Sequence, residues 1–100
     1  MMDREENRIE RLHTSVEGRV QGVGFRYFVQ EQAVRLALTG WVRNRWDGSV
    51  EVIAEGKRGD LEKLLSALAR GPRSANVMRI IPEWQTASGD FSHFNIRLTA

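Results

Sequence analysis

One transition in the sequence constrains the fold more than any other: an alternating run stops at two closely spaced glycines, and a helical pattern follows directly. Across residues 12–20, apolar or small side chains alternate with polar ones, which is typical of a strand with one buried face. Gly22 and Gly24 interrupt the alternation, and over residues 25–38 apolar side chains recur at helical spacing. The sequence therefore predicts a strand that enters a helix through a short glycine turn.

The rest of the chain carries similar local signals. Gly40 is interpreted as the left-handed cap of the first helix, Asp47-Gly48 as a hairpin turn, and Pro82 as a sign that its strand lies partly at a sheet edge. Further strands are predicted at residues 41–44, 49–54, 76–84 and 94–98, and a second helix around residues 61–68. This order, β-α-β-β-α-β with a short extra C-terminal strand, predicts an α+β, ferredoxin-like sandwich in which two helices cover one face of an antiparallel sheet.

The length and composition fit one domain. Residues 1–10 are mostly charged or polar and are expected to form a flexible N-terminal extension, with residues 11–100 as the single folded domain. The chain has no cysteine, which excludes disulfides and thiolate chemistry and fits a cytoplasmic location. No apolar run reaches transmembrane length. The net charge is only +2 and there is no block of basic residues, so charge is weak evidence for nucleic-acid binding. A monomer is expected.

The glycine turn has the features of a phosphate cradle. Glycines allow successive backbone N–H groups to face one point, and a helix N-terminus adds partial positive charge there. Arg26 supplies a permanent bidentate cation. The alternative is a plain tight connection between a strand and a helix. The dinucleotide fingerprint fails because Tyr27 replaces its third glycine, and the Walker A sequence is absent. Residues 24–29 are weakly similar to the aromatic RNA-binding motif of RRM domains. That motif lies on a strand, whereas these residues continue as a helix.

Asn44 is the second candidate site residue. In the predicted second strand it shares a face with Val42, whereas Trp41, Arg43 and Arg45 lie on the other face. Because Asn is depleted in strand interiors, it could be an amide that orients a water against a bound phosphoryl group. It could equally open the turn that follows. His13 and His93 have no ligand-type spacing, and each is interpreted as a lone surface histidine. No metal-ligand set is visible.

At this point two long motifs resemble the acylphosphatase family. The first is GRVQGVGFR at residues 18–26, and the second is GWVRN at residues 40–44 followed by DGSV at residues 47–50. ARGP at residues 69–72 and FNI at residues 94–96 also resemble the family. The resemblance runs from about residue 12 to residue 98, which is nearly the whole chain.

The resemblance implies a metal-independent, cofactor-free hydrolase that cleaves small-molecule acyl phosphates into a carboxylate and inorganic phosphate. It makes Arg26 the catalytic, phosphate-binding arginine and Asn44 the residue that positions the attacking water. The implied phosphate-binding loop consists of the backbone amides of Gln21, Gly22, Val23, Gly24, Phe25 and Arg26. No nucleic acid or membrane partner is expected from it.

Two alternatives remain. A related pattern occurs in the N-terminal domain of the large hydrogenase-maturation carbamoyltransferases, where proline typically follows the arginine. Here that residue is Tyr27, and the short chain and the intact Asn44-x-x-Asp47-Gly48 turn favour a free-standing enzyme. The other alternative is a non-catalytic module that binds an anion or single-stranded RNA on the sheet face carrying Trp41, Arg43 and Arg45.

Overall fold

A computed structural model describes residues 5–100, with only the backbone of Glu5 included. A short 3₁₀ turn at Glu5–Asn7 precedes the main elements. These are β1 (Ile9–Arg19), α1 (Phe25–Arg35), β2 (Thr39–Asn44), β3 (Val50–Lys57), α2 (Arg58–Arg70), β4 (Asn76–Gln85) and β5 (Phe94–Ile96). The five strands form one sheet in the order β4-β1-β3-β2-β5. The predicted α+β, ferredoxin-like arrangement is confirmed.

The core lies between one face of the sheet and the two helices. Both helices contribute their apolar stripes, Phe25, Val29 and Ala33 from α1 and Leu61, Leu64 and Leu68 from α2. The sheet contributes the alternate residues of its inner face, among them Leu12, Val16, Val42, Val50, Val52 and Ala54. The sequence periodicity predicted these buried stripes. Because one face of each strand packs against the helices, the alternate residues must lie on the opposite, outer face.

Two features of the sheet differ from prediction, and one agrees with it. β1 begins at Ile9 because Ile9 and Glu10 pair with Lys57 and Gly56, so residues 9 and 10 belong to the sheet rather than to an extension. The flexibility expected of residues 1–4 lies outside the described residues. β5 pairs with β2 in parallel, so the sheet is mixed, because the chain crosses from β4 at one edge to β2 near the other. β4 is an edge strand, as Pro82 predicted.

The end of α1 also differs from prediction. The left-handed residue is Ala37, with φ 56°, and the N–H groups of Ala37 and Leu38 donate to the carbonyls of Val34 and Ala33. This pair of bonds is a Schellman motif, so the helix ends before Gly40. Gly40 lies inside β2, where a Cβ atom would stand 2.0 Å from the carbonyl oxygen of Ile53. Position 40 therefore requires a glycine because two strands pack closely there, and not because it caps the helix.

Candidate active site

The turn between β1 and α1 presents unpaired backbone donors. Gly22 and Gly24 have φ angles of 72° and 76°, in the left-handed region, and a Cβ at either position would meet nothing within 4 Å. The glycines are therefore required by backbone conformation and not by space. Gly24 is the N-cap of α1 and supplies no side-chain cap. Within residues 5–100, the N–H groups of residues 22–26 have no hydrogen-bond acceptor, so they are available to a ligand.

Arg26 lies in the first turn of α1, directly after these donors. Its side chain is half-buried, and no carboxylate of the described chain forms an ion pair with it. Arg43 in β2 and Arg45, directly after β2, differ in this respect, because both are bound to Glu51. Arg26 therefore brings an uncompensated positive charge to a point that already carries free N–H groups and the N-terminus of a helix.

Gln21 joins this turn to the end of β2, a role that the sequence did not reveal. β3 lies between β1 and β2, so the two strands are not neighbours in the sheet. The side chain of Gln21 bridges the gap, since its Nε2 donates to the carbonyls of Arg45 at 2.7 Å and Ser49 at 2.8 Å. The glycine turn and the β2–β3 turn are thereby held against each other, with Asn44 at their junction.

Asn44 is the last residue of β2, and its side-chain oxygen is unusual. The parity prediction is confirmed, because Val42 is fully buried in the core while Arg43 packs over the Trp41 ring on the opposite face. Oδ1 of Asn44 is buried and has no hydrogen-bond partner among the described residues. An unsatisfied buried oxygen costs about 1–3 kcal/mol, and in native proteins it usually marks a bound water or a functional role. It is therefore a candidate acceptor for a water at the site.

The turn after Asn44 is internally braced. Oδ1 of Asp47 accepts hydrogen bonds from the Ser49 backbone N–H at 2.9 Å and from its hydroxyl at 2.6 Å. These bonds hold the pKa of the Asp47 carboxyl below its usual value. Asp47 thus serves the turn, as the sequence predicted, and Asn44 does not have to open it.

The outer face of the sheet is occupied by ion pairs. Glu51 is 4% exposed and is bound by Arg43, Arg45 and His13. Burial raises the pKa of the Glu51 carboxyl, but hydrogen bonds from Arg45, His13 and Arg43 outweigh this effect and hold its pKa at about 2. The interpretation of His13 as a lone surface histidine was wrong, because its Nε2 lies 2.7 Å from Glu51 Oε2.

This arrangement disfavours the RNA-binding alternative. Trp41 is only 8% exposed, and the guanidinium groups of Arg43 and Arg97 each lie 4.7 Å from its ring centroid. Stacking of bases requires an accessible aromatic face and free cations. Here the aromatic ring is covered, and two of the three proposed binding residues already have partners within the protein.

Acid should weaken the fold through Glu51. Its folded-state pKa is lowered from 4.5 to about 2, so its stabilising contribution is complete above pH 4.5 and is lost as the pH falls towards 2. A shift of this size corresponds to about 3 kcal/mol of unfolding free energy. Urea unfolding followed from pH 5 to pH 2 should show the decline. Glu51→Gln cannot titrate and should flatten it, and an equally steep decline in that variant would contradict this assignment.

Neither helix in residues 5–100 is long and apolar enough to cross a lipid bilayer. The same residues contain no group of three or more His, Asp or Glu side chains arranged to hold a metal ion.

The fold and the free donors together define a class: a ferredoxin-like α+β domain with an anion-favouring turn between its first strand and first helix. Comparison with known proteins narrows this class. The acylphosphatase family model matches residues 12–96. A curated acylphosphatase from Salinibacter ruber is 47% identical over 88 residues, which are 88% of this chain and 93% of that protein. This chain therefore belongs to the acylphosphatase family.

Solved structures agree with this assignment. The crystal structure of an acylphosphatase from Bacillus subtilis superposes with a TM-score of 0.85 at 40% identity, covering 88% of this chain and 98% of that one. A full-length HypF structure, in a phosphate- and nucleotide-bound form, gives a TM-score of 0.84 at 26% identity, covering 92% of this chain but only 12% of HypF. The fold thus occurs both as a free-standing protein and as a small part of a much larger one.

Proposed function

We propose that this protein is an acylphosphatase that hydrolyses acyl phosphates to a carboxylate and inorganic phosphate without a metal ion. The observation that carries the proposal is the set of unpaired N–H groups at residues 22–26 beside Arg26, which has no ion-pair partner within the described chain. These donors would bind the phosphoryl oxygens, and the bidentate guanidinium would balance their charge. Membership of the acylphosphatase family supports the choice of substrate class.

The chemistry requires positioning more than covalent participation. In the proposed step, a water oxygen attacks the phosphorus, the bond from phosphorus to the acyl oxygen breaks, and the carboxylate leaves. The protons of the water stay on the released phosphate or pass to solvent. Carboxylic acids have pKa values of about 4, so the leaving group needs no proton at neutral pH. Phosphoryl transfer is catalysed mainly by orientation and by charge stabilisation. Asn44 would orient the water, because its buried Oδ1 can accept a hydrogen bond from it.

Inorganic phosphate is both the product and the simplest ligand of the proposed cradle. We expect hydrolysis of benzoyl phosphate in the presence of EDTA, with competitive inhibition by added phosphate. The competition follows because the same N–H groups and Arg26 would hold the product and the phosphoryl group of the substrate. A continuous absorbance assay at several phosphate concentrations measures both effects. Loss of activity on addition of EDTA would contradict the metal-free mechanism, and noncompetitive inhibition would contradict a shared site.

We further infer that the protein acts as a monomer in the cytoplasm. The absence of cysteine is compatible with a reducing compartment. Size-exclusion chromatography with light scattering tests the oligomeric state, for which a mass of 11.4 kDa is expected.

A further inference from the structure

Glu51 holds the two residues that flank Asn44. It lies on β3, on the sheet face opposite the helices, and its residue exposure is 4%. Nε of Arg43 donates to its Oε1 at 2.7 Å, and a terminal nitrogen of Arg45 lies 2.5 Å from its Oε2. One carboxylate therefore binds the side chains on both sides of Asn44, using a different oxygen for each.

We call Glu51 with its two bound arginines, Arg43 and Arg45, the clamp. Its position in the sheet restrains the end of a strand. Asn44 is the last residue of β2 and pairs with Val50, at the end of the ladder between β2 and β3. Strand ends open more readily than strand centres because fewer contacts hold them. Arg43 and Arg45 extend to the face opposite Asn44, so fixing both side chains also resists rotation of the backbone between them.

The side-chain oxygen of Asn44 is not fixed by a hydrogen bond to the described part of the protein. Its Oδ1 has no hydrogen-bond partner among the described residues, so the protein does not hold that atom directly. The direction of the amide then depends on the backbone that carries it. We propose that Glu51 is a positioning residue for the reaction, fixing Asn44 by clamping Arg43 and Arg45; this inference rests on the proposed role of Asn44.

His13 completes the surroundings of Glu51. Its Nε2 lies 2.7 Å from Oε2 of Glu51, and it is contributed by β1, the strand on the other side of β3. Together with His13, the clamp therefore spans three adjacent strands. It ties the end of β2 to β3, the central strand of the sheet, and through β3 to β1.

The same strand supplies a matched control. Glu55 lies four residues further along β3, on the same face, and is also 4% exposed. It is bound by Arg11 and by the backbone N–H groups of Ser88 and Gly89. Burial raises the pKa of its carboxyl, but these hydrogen bonds more than offset that effect and lower it overall. Glu55 is therefore comparable to Glu51 in burial and in hydrogen bonding, yet none of these partners flanks Asn44.

The experiment compares Glu51→Gln with Glu55→Gln in benzoyl phosphate hydrolysis. Each variant removes one buried negative charge at constant side-chain size. We expect kcat of Glu51→Gln to fall roughly 10- to 100-fold, as misplacement of a positioned group does, while the inhibition constant of inorganic phosphate stays within about twofold. Glu55→Gln should keep kcat within about twofold. Urea unfolding establishes that each variant is folded at the assay temperature.

A double variant separates positioning from general loosening. If Glu51 acts through Asn44, adding Glu51→Gln to Asn44→Ala should lower kcat no further. If Glu51→Gln does not fold, Arg45→Met gives the same test, because it removes one partner of the clamp and its side chain is 32% exposed. Whichever variant is used, its kcat must fall while the inhibition constant of inorganic phosphate stays nearly unchanged.

Two results would overturn the inference and leave the proposed function intact: unchanged kcat in Glu51→Gln when Asn44→Ala is impaired, or equal losses in Glu51→Gln and Glu55→Gln. Failure of the proposed function would look different. In that case Asn44→Ala would keep full activity, or the wild-type protein would not hydrolyse benzoyl phosphate at all.

Discussion

Arg26→Ala is expected to lose both phosphate binding and turnover. Arg26 has no ion-pair partner within the described chain, so its charge is available to a ligand and its removal should leave the neighbouring contacts intact. The variant would leave the N–H groups of the turn with no cation to balance the phosphoryl charge. Arginines that stabilise a transferring phosphoryl group contribute about 10³- to 10⁵-fold to turnover. We expect kcat/KM to fall by at least roughly 10³-fold.

Steady-state kinetics and calorimetric titration of inorganic phosphate measure the two losses separately. Arg26→Lys keeps the charge but not the planar fork, so it should recover part of the binding and little of the turnover. Arg35→Ala, in the last turn of the same helix, is the matched control and should behave like the wild type. Retention of phosphate affinity in Arg26→Ala would contradict the proposed cradle.

Asn44→Ala is expected to separate binding from turnover. The phosphate donors lie in the β1–α1 turn, whereas Asn44 lies at the end of β2 and is proposed to hold only the water. Loss of one preorganised polar group typically costs about 3 kcal/mol of transition-state stabilisation, or roughly 10²- to 10³-fold in kcat. We expect a loss of this size in kcat, with the inhibition constant of phosphate changed less than about threefold.

The fold of this variant should not suffer, because the oxygen that is removed has no partner within the described residues. Urea unfolding should therefore show a stability equal to or greater than that of the wild type. Asn95→Ala, on the adjacent β5, serves as the control for substitution in this part of the sheet. If Asn44→Ala lost phosphate affinity and turnover to the same extent, the water-positioning role would be wrong.

The local parts of the site were predictable from the sequence because they depend on neighbouring residues. Two glycines between an alternating run and a helical run indicate the turn, and the parity of β2 assigns Asn44 to the face of Val42. Each of these two features is determined by residues that are close together in the sequence. The residues themselves suggested Arg26 as the cation of a phosphate cradle and left two interpretations of Asn44 open. The resemblance to the acylphosphatase family then assigned the catalytic roles, which stay predictions.

The parts that were missed depend on strands distant in sequence. The position of Ile9 in β1 follows from pairing with Lys57, and the requirement for Gly40 follows from the approach of Ile53. The Glu51 clamp joins three strands. One signal could have indicated part of it, since a hairpin turn at Asp47-Gly48 places Arg43 opposite Glu51 in register.

Gln21 was assigned to the phosphate cradle through its backbone, but its side chain joins the two halves of the site. No local pattern could have indicated this, because the carbonyls that accept its hydrogen bonds belong to Arg45 and Ser49 on the β2–β3 turn. The orientation of a side chain towards a distant turn depends on sheet order, and here β3 separates β1 from β2.

The most direct test of the proposed mechanism is the fate of the solvent oxygen. Benzoyl phosphate would be hydrolysed by the wild-type protein in ¹⁸O-labelled water with EDTA present, and both products analysed by mass spectrometry. If a water oriented by Asn44 attacks phosphorus, the label enters inorganic phosphate and benzoate stays unlabelled. Label in benzoate would mean that water attacks the carbonyl carbon, which would contradict an account built on a phosphoryl cradle and Arg26.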